Sequence, residues 1–134
     1  MEKVAILNDI HGNLYLLNKA LEYLKDKNIS KFLVCGDFLT DGPDDNKIID
    51  TLKSLNAEVI LGNREEAILK LTPKSAELTE KFDSFYYTYH SLTKKNLEYL
   101  KTLPTTKPSL LLIKKYVCHM EVHIKPEKLL LNHP

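Results

Sequence analysis

Asp9 and His11, two residues apart in the run Asn8-Asp9-Ile10-His11-Gly12-Asn13, offer a carboxylate and an imidazole to one cation. Asp37 follows Gly36, and Asn63-Arg64-Glu65 follows Gly62, so two further polar clusters open directly after a glycine. Two carboxylates about 4 Å apart repel by roughly 4 kcal/mol at an effective dielectric near 20, so Asp9 and Asp37 need a cation or a proton where they meet. His11 can add a neutral nitrogen, and Asn63 a carbonyl oxygen. Mixed oxygen and nitrogen ligation suits zinc, iron or manganese. A pair of such ions ~3.5–4 Å apart can clamp a phosphoryl group and generate a hydroxide near neutral pH. Gly12, Gly36 and Gly62 let the chain turn sharply and let a ligand approach. Taken singly, each residue has a plainer role. Asp9 and Asp37 can end strands as turn residues, and His11 can be a surface histidine. Asn63 can cap a helix, with Glu66 three residues on completing a capping-box-like pair. Three clusters at three successive strand ends weaken that plainer account.

The elements that must position these residues are legible in the first half. Residues 3–7 (KVAIL), 32–35 (FLVC) and 58–61 (EVIL) are short apolar runs that read as strands buried on both faces. Between the first two, Leu14, Leu17, Leu21 and Leu24 form a helical stripe with Asn13 as N-cap and Asn28 as stop. Between the second and third, Ile48, Ile49, Leu52 and Leu55 repeat at helical spacing after Gly42-Pro43-Asp44. Strands alternating with helices at this rhythm predict an α/β fold with a parallel sheet. Ligands bind outside the carboxyl ends of such strands, which is where all three clusters fall. A third helix is expected after Asn63, stopping at Thr72-Pro73, and residues 74–80 read as a polar connection or short helix. Phe82, Phe85, Tyr86 and Tyr89 predict a helix face packed on the core. Leu92, Leu97, Leu100 and Leu103 predict a last helix ended by Pro104. Residues 110–113 and 116–119 follow as strand candidates.

Composition narrows the function classes. A chain of 134 residues with 43% hydrophobic and 28% charged residues suits one soluble domain, residues 1–134. A formal net charge of +1 argues against a general nucleic-acid binder. No apolar run approaches the ~20 residues that span a bilayer, and the N-terminus lacks a signal-peptide layout, so no membrane association is expected. Cys35 and Cys118 each end an apolar run, predicting buried thiols and a reducing, cytoplasmic setting.

The three clusters together resemble the calcineurin-like metallophosphoesterases, in particular their small bacterial phosphodiesterase and serine/threonine-phosphatase-like branch. Asp9-Ile10-His11-Gly12-Asn13, Gly36-Asp37 and Gly62-Asn63 match, in order and spacing, that family's D-x-H, G-D and G-N blocks. The resemblance runs from residue 1 to about residue 119. It implies a four-layer αββα sandwich, here incomplete, with the first sheet, its helices and part of the second sheet. It further implies two divalent metal ions of the manganese, zinc or iron type. Asp9 and His11 would bind one ion, Asp37 would bridge both, and Asn63 and His119 would hold the second. The reaction implied is hydrolysis of a phosphate-ester substrate by metal-activated water.

Three positions depart from the family pattern. Where it reads G-N-H and then an acid, this chain has Gly62-Asn63-Arg64-Glu65. An arginine can hold phosphate oxygens in a two-point contact but cannot act as a general acid near neutral pH. Arg64 is therefore expected to bind phosphate, with Glu65 as its orienting partner. Met120 stands where a glycine is expected. The final G-H-x-H block is absent, and neither His123 nor His133 has such a context. One hypothesis is that residues after His119 come from a shifted reading frame, since reading from the last base of the Met120 codon into Glu121 forces a glycine. Three readings follow: a metal-dependent phosphoesterase, a non-catalytic module keeping a partial metal or phosphate site, and a flavodoxin-like nucleotide binder. The last is weakest, because the first loop lacks G-x-G-x-x-G.

Overall fold

A computed structural model describes residues 3–78 and 83–105. Strand β1 (Val4–Leu7), helix α1 (Leu14–Asp26), β2 (Lys31–Val34), α2 (Asp45–Ser54) and β3 (Glu58–Val59) alternate, and α3 (Asn63–Lys70), α4 (Pro73–Leu78), α5 (Ser84–Ser91) and α6 (Lys94–Thr102) follow. The strands form one parallel sheet in the order β1-β2-β3. Val4 pairs with Lys31 and Leu7 with Val34, while Leu33 and Val34 pair with Glu58 and Val59. The fold is α/β, as the alternating runs predict.

Local chemistry sets the helix boundaries. The Asn13 side-chain oxygen accepts the Leu16 N–H at 3.0 Å and starts α1. Asn28, at φ 56°, leaves the helical region just beyond the end of α1 and donates its N–H to the Lys25 carbonyl. Asp44 is the N-cap of α2, one residue after Pro43, and the Thr93 hydroxyl caps α6 through the Asn96 N–H.

The core lies between one face of the sheet and the helices. Val34 and Val59 meet Leu17 of α1, Ile48, Ile49 and Leu52 of α2, and Leu100 of α6. Asn46 then ties α2 to the α5–α6 turn. Its amide donates to the Ser91 carbonyl at 2.8 Å, and its oxygen accepts the Thr93 N–H at 3.0 Å. The other sheet face carries a smaller cluster of Leu33 and Ile60 with half-buried Cys35.

Three expectations need correction or lie elsewhere. β1 is not buried on both faces: Val4 and Ile6 are 38% and 39% exposed, while Ala5 points inward. Val4 and Ile6 project to the face opposite Ala5, which the described residues leave partly uncovered. In α5 the fully buried residue is Thr88, with Phe85, Tyr86 and Tyr89 half-buried. The helix meets the buried carboxylate of Asp45 through the short Thr88 side chain, whose hydroxyl donates to it. Phe82, Cys118 and the strand candidates at 110–113 and 116–119 lie outside the described residues. Leu52 is wholly buried, so Leu52→Ala is expected to lower stability by about 2–5 kcal/mol. Urea unfolding checks this, and an unchanged midpoint would contradict the packing described.

Candidate metal centre

Beyond β1 and β2 the two loop segments stay stitched together by backbone hydrogen bonds. Cys35 N–H reaches the Leu7 carbonyl at 2.9 Å, His11 N–H reaches the Asp37 carbonyl at 3.1 Å, and Gly12 N–H reaches the Phe38 carbonyl at 3.0 Å. These bonds bring the D-x-H loop onto the G-D loop. The backbone there is left-handed at Asp9 (φ 52°), His11 (φ 48°) and Asp37 (φ 51°). Each such residue costs on the order of 1–3 kcal/mol, a cost that persists only where surrounding contacts impose it. Gly36 sits at φ 94°, and a Cβ on it would lie 2.5 Å from the Gly62 Cα. That position requires glycine, and through it the second and third strand ends come into contact.

Glu65 locks this contact. Its carboxylate is fully buried. It accepts the N–H groups of Asp37, Phe38 and Leu39, each at 2.9 Å, and of Gly62 at 2.8 Å. Burial pushes its carboxyl above the ordinary glutamate range, against those N–H donors, which favour the charged form. Asp37 answers from the other side: its Oδ1 accepts the Arg64 N–H at 3.0 Å, at the start of α3. The structure thus places Glu65 on backbone amides, whereas the sequence reading made it the partner of Arg64. The cap of α3 differs too, since Gly62 occupies the N-cap position and Glu65, not Glu66, bonds back to it.

Asp9, His11 and Asp37 each present a ligand atom, and these atoms all lie within 4.8 Å of one another. Among the described residues they are the one such group of three or more acidic, histidine or cysteine side chains. His11 Nε2 lies 3.7 Å from Asp9 Oδ1, and the Asn8 amide donates to the other Asp9 oxygen. Two carboxylates and a neutral nitrogen, converging at a half-exposed rim, fit a hard or borderline divalent cation. Asn63 is the exposed first residue of α3, next to Arg64. His119 lies outside the described residues.

Sequence reasoning missed two acids. Asp41 Oδ2 stands 3.3 Å from His11 Nδ1 and 3.0 Å from Arg64 Nη2. The Arg64 guanidinium also lies over the Phe85 ring, 5.1 Å from its centroid. Asp45 is buried, accepting the Thr40 N–H at 3.0 Å and the Thr88 hydroxyl. It thereby holds Thr40 and Asp41, both left-handed at φ 70° and 64°. Burial raises the Asp45 carboxyl above the usual aspartate range; the Thr88 and Thr40 bonds oppose the shift, and Asp41 and Asp44 add to it. The available signal was an acid in the same strand-end loop, just before Gly42-Pro43.

The profile of a family described as calcineurin-like phosphoesterase matches residues 2–131. The uncharacterized protein MJ0912 of Methanocaldococcus jannaschii is 27% identical over 132 residues, covering 97% of this chain and 48% of that protein. Phosphodiesterase MJ0936 of the same organism is 30% identical over 80 residues, covering 58% of this chain and 45% of that one. The chain therefore spans about half the length of the curated relatives it matches. A crystal structure of a metallophosphoesterase from Sphaerobacter thermophilus aligns with a TM-score of 0.60 at 24% identity, covering 77% of this chain and 42% of that one. That likeness is one of fold. A protein provisionally described as a diadenosine tetraphosphatase aligns with a TM-score of 0.60 at 27% identity, covering 75% and 42%.

Two substitutions test the scaffold. Glu65→Gln turns an amide N–H2 toward backbone N–H donors and is expected to cost about 1–3 kcal/mol. A urea midpoint equal to that of the parent would remove Glu65 from its assigned role. Asp45→Asn keeps an acceptor for Thr40 and offers a donor to Thr88, while removing the charge. In the parent, the unfolded chain ionises Asp45 near the ordinary value of 3.8 and the folded chain only at higher pH. The parent therefore loses stability as pH rises from that value through the folded pKa. Relative to the parent, Asp45→Asn should gain stability over that rise; a difference that does not change with pH would refute it.

Proposed function

Because this chain belongs to the calcineurin-like phosphoesterase family, we propose that it hydrolyses a phosphate mono- or diester with water activated by two divalent metal ions. The observation that carries this reading is the meeting of Asp9, His11 and Asp37 at one rim, their ligand atoms within 4.8 Å. Asp9, His11 and Asp37 would hold the ions, with Asn63 and His119 as the further ligands that the family resemblance implies. When bound, such ions neutralise phosphoryl oxygens and supply a hydroxide nucleophile near neutral pH.

The chain's own residues do the rest. The bond from the Arg64 N–H to Asp37 Oδ1 fixes that carboxylate and leaves its second oxygen for a cation. The Arg64 guanidinium, held beside Asp41 and over Phe85, keeps further N–H donors for phosphate oxygens. Its charge is permanent, so it binds phosphate and moves no proton. Glu65 acts as a positioning residue, since its oxygens are committed to backbone. The descriptions of a phosphodiesterase and of a provisionally assigned diadenosine tetraphosphatase support substrates with phosphate linkages.

The second reading is a module that binds metal or phosphate without turnover. It is favoured by Arg64, a residue incapable of general acid catalysis, at the position following Asn63. Assay with manganese and a nitrophenyl phosphodiester or monoester separates the two. Turnover is expected, lost on chelation and reduced on the order of 100-fold or more by Asp37→Asn. Turnover indifferent to both treatments would overturn the metal mechanism. Manganese binding without turnover would establish the module.

A further inference from the structure

We infer that Asp41 is a positioning residue of this centre, one carboxylate oxygen setting both the metal-facing histidine and the phosphate-facing arginine. The inference rests on the metal-centre reading above. The same atom, Asp41 Oδ2, lies 3.3 Å from His11 Nδ1 and 3.0 Å from Arg64 Nη2. His11 Nε2 faces the opposite way, 3.7 Å from Asp9 Oδ1. His11 Nδ1 is buried and makes no aligned hydrogen bond. Among the described residues, Asp41 Oδ2 is the carboxylate oxygen that faces it.

The chemistry of imidazole gives that contact a consequence. A neutral ring carries its proton on one nitrogen and its lone pair on the other. A carboxylate facing Nδ1 stabilises the proton there, so Nε2, on the Asp9 side, keeps its lone pair. Without it, the proton is free to settle on Nε2 and block the donor atom. The second contact acts on Arg64. A flexible cation held between the Asp41 oxygen and the face of Phe85 loses its freedom before a phosphate arrives.

The loop cannot drift from this position. Asp45 accepts the Thr40 N–H at 3.0 Å, immediately before Asp41. On the other side, a Cβ on Gly42 would lie 2.6 Å from the carbonyl oxygens of both Gly12 and His11. An ordinary turn residue would turn its carboxylate to water. Asp41 keeps a half-exposed side chain yet directs one oxygen between two site residues.

The test uses the full chain and manganese titrated by calorimetry. Asp41→Gly removes the side chain while allowing φ 64°. Asp41→Asn keeps the shape and a weaker acceptor, and asparagine tolerates the left-handed region. Asp37→Asn is the control for the centre itself. Asp41→Gly is expected to weaken manganese binding about 10–100-fold, with Asp41→Asn between it and the parent. In the metal-free protein, the nitrogen chemical shifts of His11 should move from an Nδ1–H ring toward an Nε2–H ring in Asp41→Gly. Parent-like manganese affinity and parent-like shifts in both folded Asp41 variants, with Asp37→Asn still abolishing binding, would overturn the inference alone. A lower unfolding temperature with unchanged affinity would do the same, because it marks a purely structural role. Manganese binding that survives Asp37→Asn would instead bring down the metal-centre reading, and this inference with it.

Discussion

The buried carboxylate of Glu65 gathers four backbone N–H groups from two different strand ends, and the rest of the site follows from that grip. Taking an ionised carboxylate out of water costs several kcal/mol. Four hydrogen bonds to a charged acceptor, at about 1.5–3 kcal/mol each, are of the same order or larger. The net stabilisation is therefore small beside the gross terms. What the interaction supplies is geometry: Asp37, Phe38, Leu39 and Gly62 can adopt few arrangements that satisfy both oxygens. Asp37 is thereby fixed against the start of α3, where the Arg64 N–H completes the clasp.

Strain is concentrated where that grip and the interloop hydrogen bonds can hold it. Asp9, His11, Asp37, Thr40 and Asp41 all have positive φ, and all lie in the two loops that form the rim. Aspartate bears the left-handed region better than branched or bulky residues, which reduces the cost at three of the five positions. The close approaches of Gly36 to Gly62 and of Gly12 to Gly42 let these loops touch without a Cβ between them. A looser packing would let the carboxylates relax away from each other, which their mutual repulsion favours.

The centre is layered in charge. Asp9 and Asp37 face the space a cation would take, His11 stands between acids on its two nitrogens, and Arg64 closes the outer side against Asp41. Each group has an opposite or neutral neighbour except across the cation position itself. Asp45 sits one layer deeper, where burial raises its pKa while Thr88 and Thr40 supply its hydrogen bonds and, among the described residues, no ion pair is made to it.

Sequence alone determined the alternation of strands and helices, the caps at Asn13 and Asn28, and the convergence of Asp9, His11 and Asp37. These follow from periodicity and from the rule that parallel strands deliver their ends to one edge, both short-range properties of the chain. It also drew attention to Arg64 through its departure from a familiar block. Only the tertiary structure decided what Glu65 and Asp41 do. An acid beside an arginine reads naturally as its partner, yet Glu65 turns inward to the Gly62 N–H and to three amides 26–28 residues away. Asp41 reads as a turn residue until the loops pack, because its two partners are a histidine and an arginine far from it in the chain. Likewise the α5 aromatics could not be placed without knowing that Asp45 is buried against that helix and is met by Thr88. Periodicity records which face is apolar. It does not record which buried charge a neighbouring element must satisfy.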